Sequence, residues 1–244
     1  MKAHLRVSIF AAATVALALT ASHANVALAD EPGLVAVPIS TIFVPNGFDN
    51  NDEVQVVLDG TFPNTCYKLA RTEVTPLASG MGFTVKQFAR RFSGVCIPTF
   101  VPFWTEVTLG RLPTGEHRIV VADGPEAMVS VVDAPSSSQD DFLYAPVETI
   151  ELVRGADFTW SVKLHGHLTN TCLELGDVRV LDQGEVQVVL PIVNKLDRSD
   201  CRDADVEFTK VVALPSQLDS GNHLVHVRSM SGRAINAVFF SDGD

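Results

Sequence analysis

Val56-Val57-Leu58-Asp59-Gly60-Thr61-Phe62-Pro63-Asn64-Thr65-Cys66 is matched, 106 residues on, by Val162-Lys163-Leu164-His165-Gly166-His167-Leu168-Thr169-Asn170-Thr171-Cys172. Both copies end on Asn-Thr-Cys. Each then meets a second cysteine, Cys96 in the first and Cys201 in the second. Further coincidences extend the match. Thr41-Ile42 with Gly47 corresponds to Thr149-Ile150 with Gly155, and Phe103 and Phe208 each lie seven residues after the second cysteine. Leu112-Pro113-Thr114-Gly115-Glu116-His117 corresponds to Leu218-Asp219-Ser220-Gly221-Asn222-His223. Self-similarity at a fixed spacing is the mark of a duplicated module.

Four cysteines allow three pairings. The repeat favours Cys66–Cys96 and Cys172–Cys201, because each copy then closes its own loop. In the chain-entropy view such a bridge stabilises by roughly 3–4 kcal/mol. The close Cys-x-x-Cys pairs of a zinc site are missing.

Residues 1–29 read as a signal peptide. Lys2 and Arg6 precede the apolar run Val7 to Thr20, and Ala27-Leu28-Ala29 before Asp30 forms a cleavage pattern. Export to the periplasm or the extracellular space, with an oxidising surrounding for the cysteines, is therefore expected. No later stretch is long and apolar enough for a transmembrane helix. The net charge is −11, and an acidic surface repels phosphate backbones, so nucleic acid is not an expected partner.

Strand signals fill both copies. Glu53 to Leu58 and Val186 to Leu190 alternate, His117 to Val121 and His223 to Val227 are matching late strands, and Pro38 marks Val35 to Val44 as an edge. Turns fall at Pro45-Asn46-Gly47, Pro113-Thr114-Gly115, Asp182-Gln183-Gly184 and Asp219-Ser220-Gly221. The expectation is all-β: two tandem antiparallel sandwiches of about seven strands, each with one disulfide. They span 30–133 and 143–244, joined by a polar linker over 134–142.

The segments Leu112 to Val120 and Leu218 to Val227 resemble the Leu-x-x-Gly-x-Tyr corner of immunoglobulin-like and fibronectin-like modules, with histidine in the tyrosine place. The resemblance implies that His117 and His223 make the corner hydrogen bond. The cysteine placement departs from antibody domains and resembles secreted bacterial sandwich proteins of unassigned role.

Chemistry-bearing residues are sparse. His165 and His167 share one face of an extended segment, whereas His223 and His226 fall on opposite faces. A metal-binding protein or metal-dependent enzyme is therefore one alternative. The acidic stretches Asp49 to Glu53 and Asp197 to Asp205 read as solvated turns without EF-hand spacing. No Gly-x-Ser-x-Gly and no phosphate-cradling glycine loop occurs, so neither catalytic residues nor a cofactor is assigned and an enzyme is not expected. Aromatics crowd between Phe83 and Trp104. Phe100, Phe103, Trp104, Arg90 and Arg91 are the candidate contact for a protein or glycan partner. The expected role is a binding or structural module. A secreted protease inhibitor, presenting Ile97 to Pro102, is the other alternative.

Overall fold

The computed structural model describes residues 33–156, 159–215 and 217–243. The signal peptide read over 1–29 lies outside them. The described residues hold sixteen strands and no helix, so no helix is long and apolar enough to cross a membrane. The first repeat comprises β1 (Leu34–Ala36), β2 (Thr41–Phe43), β3 (Phe48–Asp49), β4 (Val54–Phe62), β5 (Tyr67–Pro76), β6 (Gly82–Arg91), β7 (Val101–Gly110), β8 (Gly115–Val121) and β9 (Glu126–Val132). The second comprises β10 (Val147–Arg154), β11 (Trp160–Asn170), β12 (Leu173–Asp182), β13 (Val186–Lys195), β14 (Asp203–Ala213), β15 (Gly221–Ser229) and β16 (Arg233–Ser241).

Each repeat is a two-sheet sandwich. In the first, β2-β4-β7 faces a sheet built from β1, β5, β6, β8, β9 and β3; in the second, β10-β11-β14 faces β12-β13-β15-β16. Most pairs are antiparallel, but β6–β8, β13–β15 and β3–β9 run parallel, which the alternation in the sequence does not encode. The edge segment around Pro38 is split. β1 pairs with β6, the chain crosses at Pro38, and β2 pairs with β4. Proline has no N–H to give a ladder, so the crossing falls there. The second repeat does the same at Pro146: Tyr144 bridges to Ile192 of β13, then β10 pairs with β11.

Duplication reaches single residues. Phe103 lies opposite Gly60, and Phe208 opposite Gly166. A Cβ on Gly60 would sit 2.7 Å from the Phe103 ring and 2.8 Å from Pro38 O; on Gly166 it would sit 2.1 Å from Pro146 O. Glycine is therefore required where the crossing chain and the ring both close on the strand. Bulges recur at Leu69/Thr72 and Leu175/Val178. The histidine corner is also present twice. His117 Nε2 donates to Pro113 O at 2.7 Å and His223 Nε2 to Asp219 O at 2.8 Å.

Val56, Leu58, Val85, Ile119 and Val129 centre the first core; Val162, Leu164, Val189, Val225 and Val227 centre the second. A third cluster joins them. Phe43 and Val57 of the first sandwich pack on Tyr144, Val186, Val188, Leu190 and Leu224 of the second. The outer face of β2-β4-β7 thus lies on the outer face of β12-β13-β15-β16, and β4, β13 and β15 are buried on both sides. At about 1.5–3 kcal/mol per large side chain, covering these seven is worth on the order of 10 kcal/mol. That magnitude makes the seam a packed layer rather than a loose hinge. Polar residues 134–142 run along it. Asn51 Nδ2 donates to Ser136 O at 2.8 Å, and Asp140 accepts from the N–H groups of Ser231 and Gly232.

Candidate functional site

Both disulfides close as the repeat requires. Cys66–Cys96 and Cys172–Cys201 have Cα separations of 5.4 and 5.3 Å, and no free cysteine is present among the described residues. Such bridging fits an oxidising environment. The shared Asn-Thr-Cys motif is the clamp around each bridge. Asn64 Oδ1 accepts from Cys66 N–H at 3.0 Å and Asn170 Oδ1 from Cys172 N–H at 2.8 Å. Thr65 Oγ1 accepts from Ile97 N–H at 3.0 Å, and Thr65 N–H donates to Ile97 O at 3.3 Å. Thr171 grips Arg202 in the same two ways, at 3.1 and 3.0 Å.

One framework therefore presents two chemistries. After the cysteine the first repeat offers Ile97, 64% exposed, where the second offers Arg202. Around Ile97 the loop holds Phe92, Val95 and Phe100, the last 80% exposed, and no acidic residue from Phe92 to Phe100. Around Arg202 the loop is charged, with Arg198 bonded to Asp200. Four large apolar side chains left in water on a covalently fixed loop are unusual for a solvated turn.

The five candidate contact residues separate. Phe100 stands on this loop, and Arg90 and Arg91 are exposed at the end of β6 beside Phe92. Trp104, 39% exposed, points from β7 into the mouth of the seam. Phe103 is not at the surface. It is 7% exposed, stacks on Phe62 with centroids 4.2 Å apart, and covers Gly60, because its place on β7 faces the core. Aromatic content gave no way to tell it from Trp104; its match to Phe208 did.

The polar part of the seam was not legible in the sequence. Asp49 and Asp52, read as solvated, are buried. Asp52 Oδ2 accepts from Asp49 N–H at 3.0 Å, and Arg228 Nη1 lies 3.8 Å from both Asp52 and Asp141. Arg228 also donates to Gly47 O and covers the Phe48 ring. Burial raises the Asp52 and Asp141 carboxyls above the usual range, with Arg228 pulling the other way. His226 is enclosed, and burial pushes it down to about 4. Its Nδ1 meets Asn236 Oδ1 at 2.8 Å, and Asn236 Nδ2 donates to Glu106 of the first sandwich at 2.8 Å. Through Asp52–Arg228, Arg228–Gly47 and Asn236–Glu106 these groups tie one sandwich to the other.

On the second sandwich His165 and His167 do share the outer face of β11. His165 Nδ1 bonds Thr209 Oγ1 at 3.0 Å, and His167 Nδ1 lies 3.1 Å from Glu148, whose carboxylate raises its pKa. No group of three or more His, Cys, Asp or Glu among the described residues is disposed to hold a metal ion.

The family model of the ORF11 β-sandwich domain matches residues 56–131, the stretch from β4 to β9 that includes the apolar disulfide loop. No curated protein matches the chain. No solved structure matches it either.

Proposed function

We propose that the protein is an exported, non-enzymatic binding module that engages a partner through the disulfide loop of its first sandwich. One observation carries this reading. Phe92, Val95, Ile97 and Phe100 face solvent on a frame that the second repeat reproduces with charged residues. Fixing the loop covalently and through Thr65 lowers the ordering cost of docking. The targeting pattern over 1–29 and the two bridges support export. The inhibitor alternative is less well supported, since the N–H and C=O of Ile97 are already committed to Thr65 and cannot pair with a peptidase cleft.

The test places a photo-crosslinking residue at position 97 in the exported protein, with position 202 as control. Partner adducts at 97 above the level at 202 are expected. The double variant Ile97→Ser, Phe100→Ser should lose partner binding with an unchanged melting temperature. Equal adducts at both positions, or a variant that melts far below the parent, would remove the loop from this role.

A further inference from the structure

A second surface feature lies where the two sandwiches meet, away from the disulfide loop. Opposite register neighbours form a row across the seam: Trp104 pairs with Asp59 between β7 and β4, and Asn222 with Phe240 between β15 and β16. Asn222 Nδ2 donates to Asp59 Oδ2 at 2.8 Å, joining the two halves of the row. A groove opens over this bond, lined by Asp59, Trp104, Asn222 and Phe240 with Pro102 and Val238. Phe240 is 56% exposed, so two aromatic side chains stand at the mouth in water.

The floor is unusual. Asp59 as a residue is only 6% exposed, yet Oδ2 alone is engaged, and Oδ1 is not among the buried unpartnered atoms but opens to the groove. No hydrogen bond or ion pair among the described residues occupies Oδ1, and no Lys, Arg or His lines the groove. A carboxylate that has given up part of its hydration without gaining a counter-charge favours a cation at its open oxygen, and burial raises its pKa despite the Asn222 bond. Aromatic faces beside a carboxylate are the surroundings in which an organic cation is held, by the ring quadrupole and by charge together. A neutral sugar stacks on the same rings but leaves the Asp59 charge uncompensated, so the charge decides between them.

We infer that the seam groove binds an alkylammonium group, with Asp59 Oδ1 as its charge partner and Trp104 and Phe240 as its walls. The position fits, since ligand sites favour the junction of two packed units. It is independent of the disulfide loop.

The full mature chain would be titrated with choline and with 1-butylamine while the Trp104 indole N–H is followed by NMR, assigned with Trp104→Phe. The neutral isostere 3,3-dimethylbutan-1-ol is the charge control. A lysine-containing peptide distinguishes a protein source of the ammonium from a free amine. Saturable shifts with the cations are expected, at least tenfold weaker for the alcohol. Asp59→Asn, which retains an oxygen for the Asn222 bond, and Phe240→Ala, at an exposed ring, should each weaken binding tenfold or more. Affinity should also fall as pH drops through the raised Asp59 pKa. Equal affinity for the alcohol, indifference to Asp59→Asn in a variant that melts normally, or saturable binding of neutral sugars alone would overturn the assignment.

Discussion

Replacing His226 by asparagine should change how the protein's stability depends on pH, by an amount the seam fixes. Asn236 gives its Nδ2 hydrogen to Glu106 Oε1, which turns Asn236 Oδ1 toward the imidazole. Nδ1 of His226 must then be the donor, leaving Nε2 bare in the neutral ring. A second proton would enter an enclosed space two residues from Arg228, and burial followed by that charge holds the folded pKa at about 4. The ordinary value is 6.5. The unfolded chain therefore takes up the proton first as pH falls. The stability tied to a neutral His226 is complete above pH 6.5 and is lost as pH drops toward 4, by about 3 kcal/mol. The seam carboxylates work in the other direction. Asp52, Asp59 and Asp141 have raised folded values, so their contribution is complete at low pH and is lost as pH rises through those values. A wild-type curve mixes both effects; the difference from His226→Asn isolates the first. Asparagine places Nδ2 where Nδ1 was and keeps the donation to Asn236. Urea unfolding with the disulfides intact, from pH 7 to pH 4, is the assay. The variant should be less stable at pH 7 because it leaves a small void, and the gap should close by about 3 kcal/mol at pH 4. A gap that stays constant across this range would refute the buried, neutral tautomer.

Other substitutions test the repeat itself. Gly166→Ala puts a methyl against Pro146 O and the Phe208 ring, neither of which can swing away, and should cost about 3 kcal/mol in thermal unfolding; an unchanged melting temperature would show that the crossing relaxes. His117→Phe removes the donor to Pro113 O while filling the same space, with an expected loss of about 1–3 kcal/mol by denaturant titration. Cys172→Ser with Cys201→Ser opens a loop of 29 residues and should cost about 3–4 kcal/mol in the chain-entropy view, measured against the parent under non-reducing conditions.

Much of the fold could be read from local chemistry. The Asn-Thr-Cys motifs, the paired cysteines and the Leu-x-x-Gly-x-His corners each act within one repeat, through bonds to residues a few positions away or to the loop that the bridge closes. The candidate site was legible only in part. Aromatic crowding offers Phe100 and Phe103 alike; Phe100 stands in water on the disulfide loop, whereas the Gly60 gap claims Phe103 for the core. Asp52 was misjudged because its partner, Arg228, lies in the other repeat.

By itself the sequence determined two copies of one stapled β-sandwich, since duplication, strand alternation and cysteine spacing are written in consecutive residues. Tertiary structure decided which face of each copy meets the other. Val57 and Asp59 share the outer face of β4, as Val186 and Val188 share that of β13, and nothing local distinguishes a strand face that meets water from one that meets another sheet. That choice rests on complementarity between surfaces more than a hundred residues apart. It is what buries His226, sets Asp59 beneath Trp104 and Phe240, and leaves the disulfide loop of the first repeat in water.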